Sequence, residues 1–404
     1  MPRQEELAPV AAAAIPDWLV MLFLCGDDTI FQFGASVLRE AARDGSNDRV
    51  VIMAQREPIK TSASAKRGKV ERGQPQLTEN VGITLNNPQA LVDFIKNAES
   101  RFPTENQLLV LWDHGNGWQN VHVFEPVARA TAIVNRQQVD TLHLTDLGQT
   151  LKDRGINVVG FDSCLMAMIE IAYELRNKVE FMVAAQNVVP ADSGWPHDII
   201  FHTLTNNPEM TPQNLVSAIV NAFSAAYNDS AEPVALSAIR LSSEVDDAVA
   251  AIDVLARDLI DGLSTHRQEI MLARRYCQSF ANPDYIDIIS FCEQLEQRLP
   301  DTGIARAAAE VRKKTRAIIV HRGRSRARSI AGANGLSIYF PDRPIAASYA
   351  KLEFAKARNC AWSQFIERVA PKLIAPAVLT GAARASAQPS NIIPMPTETV
   401  ARAT

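Results

Sequence analysis

Four short, uninterrupted apolar runs do most to limit the folds open to this chain. They lie at Trp18–Leu24, 49–55, 107–112 and 156–161. Apolar runs without polar alternation are typical of strands buried on both faces, as in parallel sheets. Helical spacing of apolar residues between the runs predicts βαβ units. The first half of the chain is therefore predicted to be an α/β domain with a mostly parallel sheet, and 181–185 is a fifth strand candidate.

The second half has a different pattern, which predicts a largely helical C-terminal region. Amphipathic spacing predicts helices at 211–228, 242–263, 285–298, 303–320 and 349–370, with strands at 234–241 and 336–340. The resulting organisation is a flexible leader (1–15), an α/β domain (16–230), a C-terminal α-rich domain (231–373) and a disordered tail (374–404).

Composition narrows the classes of protein. Among 404 residues, 47% are hydrophobic, enough for a sizeable core, and the formal net charge of −4 gives no general attraction to nucleic acid or anionic membrane. The five cysteines are an odd number without a CxxC pair, which argues against a disulfide framework or structural zinc site. The N-terminus lacks a signal-peptide core, and Trp18–Leu24 is too short to span a membrane. We therefore expect a cytoplasmic protein without a membrane partner.

Two reactive side chains follow neighbouring predicted strands. His114 comes after the third apolar run and Cys164 after the fourth. Because the carboxyl ends of parallel strands meet at one edge of a sheet, the imidazole and the thiol are expected to lie together. The apolar spacing becomes helical from Leu165, so a helix N-terminus beside Cys164 would lower the pKa of its thiol. The alternative is that Cys164 is only a small buried residue.

Glycines beside the histidine complete a plausible catalytic loop. Gly115 and Gly117 allow a sharp turn, and the N–H groups of Gly115 and Cys164 could bind an oxyanion. Competing sites lack necessary parts. There is no GxSxG nucleophile elbow, Gly-x-Gly alone is too weak for a dinucleotide site, and the seven histidines show no metal-binding spacing.

These motifs resemble the clostripain family of cysteine peptidases, relatives of caspases. His114 and Cys164 are 50 positions apart, near the spacing of about 50 residues known from caspases. The resemblance rests on four segments in family order, namely 18–28, 108–118 (LLVLWDHGNGW), 160–175 (GFDSCLMAMIEIAYEL) and 194–196 (GWP). It extends more weakly to 335–341 and 362–365, and so covers about residues 16–370.

The resemblance implies a fold, an activity and a set of roles. The fold is a caspase-like α/β/α sandwich followed by a largely helical C-terminal region. The activity is cleavage of protein or peptide substrates after Arg or Lys by a dyad of His114 and nucleophile Cys164. Asp162 and Asp192 match acidic positions of the S1 pocket, although Asp162 could instead cap the following helix and Asp192 could be a turn residue. Neutral side chains at 186 and 187, where relatives usually carry carboxylates, weaken the expected preference for Arg and Lys.

The resemblance also implies maturation by self-cleavage between the histidine and the cysteine. Arg129 is the favoured position, in the least patterned part of this segment, and Arg136, Lys152 and Arg154 are alternatives. The product would be a nicked two-chain form of a monomer. The family prototype depends on calcium, but no EF-hand-like loop is present, so no cofactor is expected to be required and calcium dependence stays open.

A run of alternating arginines is not explained by this chemistry. Arg322, Arg324, Arg326 and Arg328 lie in HRGRSRARS. Such a run is usually a solvated loop, and otherwise a contact for an acidic partner or a second self-cleavage site. Without interleaved aromatic residues, nucleic-acid binding is disfavoured. The rival to a peptidase is therefore a catalytically silent caspase-like binding or regulatory module that uses this basic surface.

Overall fold

Eleven strands and eleven α-helices are assigned in the computed structural model, which describes residues 15–26, 30–56, 65–82, 85, 88–119, 144–357 and 360–370. The strands are β1 (Trp18–Leu24), β2 (Val50–Arg56), β3 (Lys66–Lys69), β4 (Glu79–Asn80), β5 (Asn106–Trp112), β6 (Val158–Asp162), β7 (Phe181–Ala185), β8 (Ala235–Arg240), β9 (Tyr285–Asp287), β10 (Ile319–Arg324) and β11 (Ser337–Tyr339). The helices are α1 (Gly34–Asp44), α2 (Pro88–Arg101), α3 (Leu144–Leu151), α4 (Ile169–Leu175), α5 (His197–Asn206), α6 (Pro212–Ala226), α7 (Glu244–Tyr276), α8 (Ile288–Arg298), α9 (Gly303–Ile318), α10 (Glu353–Lys356) and α11 (Ala361–Val369).

The central sheet has the order β10-β8-β7-β6-β5-β1-β2-β3-β4. Its five middle strands, β7, β6, β5, β1 and β2, run parallel, and the flanking strands β8, β10, β3 and β4 pair antiparallel to their neighbours. The predicted mostly parallel sheet is therefore confirmed. A second sheet pairs β9 with β11.

Both faces of the central sheet are buried, which explains the uninterrupted apolar runs. In β1, Trp18, Val20 and Leu22 belong to the core that includes α1, α5 and α6. The alternating residues Leu19 and Met21 belong to the opposite core, which includes α2, α3, α4, α7, α8, α9 and α11. Burying one such side chain contributes about 1.5–3 kcal/mol, so both helical layers are needed to cover the sheet. The predicted α/β/α sandwich is confirmed.

The predicted domain boundary at 230 does not appear in the structure. The described residues up to 370 belong to one compact unit. Strands β8 and β10 come from the region expected to form a separate domain, yet they extend the central sheet. The predicted leader and tail fall almost entirely on residues 1–14 and 371–404, outside the described residues.

Two local predictions for the second half are wrong. The expected helix at 285–298 begins as strand β9, because the Asp287 carboxylate accepts a hydrogen bond from Ser290 N at 2.7 Å and caps α8 there. The arginine run is not a loop throughout, since Ile319–Arg324 forms β10 and pairs with β8.

No helix within the described ranges is both long enough and apolar enough to cross a membrane.

Candidate active site

The register of β5 and β6 brings His114 and Cys164 to the same place. Trp112 is the parallel partner of Asp162, and His114 and Cys164 each follow two residues later. Gly115 packs directly on the Cys164 backbone. A Cβ atom added to Gly115 would overlap the carbonyl oxygen of Cys164 and lie 3.0 Å from the backbone nitrogen of Cys164. Both predicted reactive residues are partly buried at this edge. The structure therefore brings together the loop that carries the imidazole and the turn that carries the thiol.

Cys164 does not lie at a helix N-terminus, so the predicted effect of a helix dipole on its thiol is wrong. Helix α4 begins only at Ile169, and Leu165 has a φ of 66°. Neighbouring segments hold the intervening residues away from helical geometry. Leu165 N donates to Asn187 O at 3.1 Å, and Ala167 N donates to Ala185 O at 2.9 Å.

Burial raises the pKa of the Cys164 thiol above its ordinary value, and the nearby charge of Asp162 acts in the same direction. Val189 opposes this shift in pKa, because its N–H donates to Cys164 Sγ at 3.3 Å. The resting thiol is therefore protonated at neutral pH and needs a base to become a nucleophile. The role of Val189 could not be found from sequence, because the contact uses only its backbone.

Gly115 and Cys164, which pack on each other, each carry a backbone N–H group. Neither Gly115 N nor Cys164 N donates to a protein acceptor within the described part of the chain. By contrast, His114 N donates to Asp113 Oδ1 at 2.6 Å, and this bond fixes the start of the loop. Gly115 packs closely on Cys164, so these two donors lie on neighbouring backbone segments.

The C-terminal part of the chain supports the histidine loop. The Tyr285 hydroxyl donates to Asn116 O at 2.7 Å. Gly117 has a φ of 61°, and a Cβ there would overlap Met168 Sδ and lie 2.7 Å from the Tyr285 ring. Sequence reasoning missed Tyr285, which lay inside a predicted helix.

A buried aromatic cluster continues this support one residue further along the loop. Trp118 packs edge-on against Tyr339 at 5.1 Å and Tyr349 at 4.9 Å between ring centroids. Below them, Glu170 Oε1 accepts hydrogen bonds from Tyr339 N and the Tyr349 hydroxyl, both at 2.9 Å. Burial raises the pKa of Glu170 to about 7.

Asp162 is buried and paired with a histidine. Its Oδ2 lies 2.9 Å from His197 Nε2, and the two side chains are 1% and 2% exposed. The segment that carries His197 covers the end of β6, because Gly194 packs on the Asp162 carboxylate and Trp195 packs on Gly160. The alternative that Asp162 caps a helix is wrong, since no helix begins there. Sequence reasoning missed His197, which lies directly after the 194–196 motif.

The other residues considered for the S1 pocket lie in two different settings. Asp192 is exposed and accepts a hydrogen bond from Ser193 Oγ at 3.1 Å, and no described contact joins it to Asp162. Gln186 is buried, with its Nε2 donating to Asp287 Oδ2 at 3.0 Å. Asn187 Nδ2 donates to Pro233 O at 2.6 Å. The neutral residues at 186 and 187 therefore serve internal hydrogen bonds.

The favoured self-cleavage position cannot be placed. Arg129 lies outside the described residues. Within the described ranges, no group of three or more His, Cys, Asp or Glu side chains is arranged to hold a metal ion.

Comparison with known proteins adds a family and a fold. Residues 22–368 match the profile of the clostripain family. The chain is 24% identical over 157 residues to clostripain from Hathewaya histolytica, an alignment that covers 35% of this chain and 30% of clostripain. The chain thus spans less than a third of that relative's length.

Two solved structures have a similar fold. An inactive protease zymogen from Parabacteroides distasonis has a TM-score of 0.62 at 15% identity, over 85% of this chain and 98% of that one. A secreted cysteine protease from Bacteroides thetaiotaomicron, solved with an irreversible peptide inhibitor, has a TM-score of 0.61 at 15% identity, over 87% and 99%. The predicted cytoplasmic location is contradicted by this second likeness, since that protein is secreted.

Proposed function

Because the chain belongs to the clostripain family, we propose that it is a cysteine endopeptidase that cleaves after Arg or Lys through Cys164 and His114. The observation that carries the proposal is the contact of Gly115 with the Cys164 backbone, which brings the loop of His114 against the turn of Cys164. The substrates are proteins or peptides. The rival, a silent binding module, would not require this arrangement of reactive groups and donors.

The reaction proceeds through two acyl-transfer steps. His114 takes the proton from Cys164 Sγ, and the thiolate attacks the carbonyl carbon of the scissile bond. The carbonyl oxygen becomes an oxyanion that accepts hydrogen bonds from Gly115 N and Cys164 N. The His114 imidazolium then protonates the leaving amine, and a thioester remains on Cys164. Water, deprotonated by His114, attacks the thioester and releases the acid and the thiol.

The dyad supplies the nucleophile, the base and the acid, so the proposed reaction requires no cofactor. The alternative is a calcium-dependent enzyme. Turnover measured in excess chelator and again in calcium distinguishes the two cases, and equal rates support the cofactor-free reaction.

For the basic preference we propose that Asp162 and Asp192 form the acidic part of the S1 pocket. Asp162 is near enough to raise the pKa of Cys164, and a carboxylate in a shielded site pairs strongly with guanidinium or ammonium. Replacement of each Asp by Asn tests the two roles separately. A role in S1 predicts a selective loss of kcat/KM for peptides with Arg or Lys before the scissile bond, compared with peptides that carry Met there.

Maturation by self-cleavage after Arg129 is part of the proposal. One similar fold is that of an inactive zymogen, which supports a maturation step. Intact-mass measurement of wild type beside Cys164→Ala tests it. Two fragments that meet at Arg129 are expected in wild type, and a single chain in the variant. A fully active, intact wild type would exclude maturation of this kind.

The experiment that separates peptidase from binding module is hydrolysis of fluorogenic peptides ending in Arg or Lys. The peptidase predicts turnover that is lost in Cys164→Ala and in His114→Ala. Cys292→Ala is a matched control, because Cys292 is fully buried in α8 and free of the site. Turnover in Cys164→Ala, or no turnover by folded and nicked wild type, would favour the rival.

A further inference from the structure

Strand β10 presents two arginines on one face. Arg322 and Arg324 are exposed. The alternating residues pack on α6, where His321 Nε2 lies 2.7 Å from Asn221 Oδ1 and a Cβ on Gly323 would overlap Ser224 Oγ. Since side chains alternate along a strand, this packing fixes the two guanidinium groups on the face opposite α6.

The two arginines border a cavity of about 230 Å³. Its lining includes Gln186, Ala235, Gly323 and Gly335, and no lining residue is acidic. Two polar groups of the lining already bind each other, because Gly335 N donates a hydrogen bond to Gln186 Oε1 at 2.6 Å. The cavity therefore offers positive charge at its rim without an anionic partner inside it.

The two guanidinium groups differ in their present contacts. Arg322 Nη1 donates to Asn334 Oδ1 at 2.7 Å and to Asn334 O at 3.0 Å. Arg324 makes no ion pair or side-chain hydrogen bond within the described part of the chain. Among the described residues, Arg324 is thus the cation without a partner, and Arg322 is held beside it by Asn334.

The cavity opens at the same end of the sheet as the thiol. Strand β10 is antiparallel to β8, and β8 is antiparallel to β7, so β10 ends at the edge where β6 and β7 end. Gln186 lines the cavity, and Val189, three residues further along the chain, contacts Cys164 Sγ. Three strand spacings give about 14 Å between β6 and β10, which equals about four residues of an extended peptide.

We propose that Arg322 and Arg324 form a subsite for an acidic side chain of the substrate, about four residues from the scissile bond. The proposal rests on the endopeptidase function proposed above. Guanidinium forks bind carboxylates with two parallel hydrogen bonds, and the cavity has room for an Asp or Glu side chain. The lining has no aromatic residue on which a base could stack, so the site favours an acidic peptide over nucleic acid.

The test uses internally quenched peptides with a single Arg cleavage site. Matched peptides carry Glu or Gln at one position, from three to six residues on either side of the scissile bond. The proposal predicts that, at one such position, kcat/KM is about tenfold higher for the Glu peptide than for the Gln peptide, because its KM is lower. The preference for Glu disappears in Arg324→Gln. In Arg324→Glu, a peptide with Lys at the same position becomes a better substrate than the Glu peptide. In each variant the effect is read as the ratio of kcat/KM for the Glu peptide to kcat/KM for the matched Gln peptide.

A matched charge reversal separates a local effect from a change in total charge. Arg267→Glu alters an exposed arginine on α7 and is expected to keep the Glu preference. Equal cleavage of Glu and Gln peptides by wild type, or a preference that survives Arg324→Glu, would overturn the subsite. The subsite would also be overturned if wild type showed no preference for Glu peptides but bound an RNA oligonucleotide, and Arg324→Glu lost that binding. Failure to cleave any peptide would instead contradict the proposed function itself.

Discussion

Trp112 and Asp162 lie side by side in the parallel strands β5 and β6, and the proposed base and nucleophile follow each of them by two residues. Strand register thus sets the position of His114 relative to Cys164. A shift of one residue would turn alternate side chains to the opposite face of the sheet. Because both strands are buried on both faces, such a shift is strongly disfavoured, and the site is built on rigid elements.

Gly115→Ala is predicted to reduce kcat by about 100-fold or more, because its Cβ would displace the Cys164 backbone from the oxyanion site. Gly68→Ala is the matched control. The nearest atom to a Cβ at Gly68 lies 3.6 Å away, so this variant is expected to keep wild-type kcat. Both are measured by peptide hydrolysis, with melting temperature as a check of folding. Unchanged kcat in Gly115→Ala would exclude the proposed oxyanion site.

Tyr285→Phe is predicted to lower kcat by about tenfold at unchanged KM. It removes only the hydroxyl that holds Asn116 O beside His114, a hydrogen bond of about 1 kcal/mol in stability. Tyr276→Phe, at a tyrosine that is 61% exposed, should leave kcat unchanged. If Tyr285→Phe lowers the melting temperature but keeps both kcat and its pH profile, Tyr285 supports the fold and does not position the histidine loop.

His197→Phe is predicted to destabilise the protein by about 1–3 kcal/mol, since it leaves the buried Asp162 side chain without its hydrogen-bond partner. His197→Gln retains an N–H donor and should restore part of the loss. His202→Phe changes an exposed histidine of the same helix and serves as control. Urea unfolding measures all three. Equal stability of His197→Phe and wild type would show that the pair contributes nothing to the fold.

Glu170 is predicted to make stability depend on pH. Burial raises its pKa from 4.5 to about 7. The native state therefore binds this proton more tightly than the unfolded state. Its contribution is complete below about pH 4.5 and is lost as pH rises through 7, a change on the order of 3 kcal/mol.

The Glu170 prediction is tested by urea unfolding at pH 5 and pH 8. Glu170→Gln should lack this part of the pH dependence and gain stability relative to wild type at pH 8. Glu367→Gln, which changes an exposed carboxylate on α11, should follow wild type at both pH values. Parallel behaviour of Glu170→Gln and wild type would contradict the assigned proton binding.

The sequence predicted those parts of the molecule that local pattern determines. Strand β7 has the predicted bounds, because apolar runs are local signals. The meeting of His114 with Cys164 also followed from sequence, since parallel strands share one carboxyl edge. The turn after Cys164 did not follow, because distant backbone partners such as Asn187 O prevent the helix from starting there.

Contacts between remote segments were equally hidden from the sequence. The bond from Tyr285 to Asn116 joins residues 169 positions apart, and that from His197 to Asp162 joins residues 35 apart. Neither leaves a local signal. The boundary at 230 was wrong for a related reason, because β8 and β10 find their partners in the central sheet despite their helical neighbours.

The most direct test of the central claim is the site of covalent labelling by a peptidyl chloromethyl ketone that ends in lysine, located by peptide mass spectrometry. The dyad predicts one label per molecule on Cys164, formed in proportion to lost activity and greatly slowed in His114→Ala. A label on another cysteine, or labelling of Cys164 at the same rate in His114→Ala, would contradict a Cys164 nucleophile activated by His114.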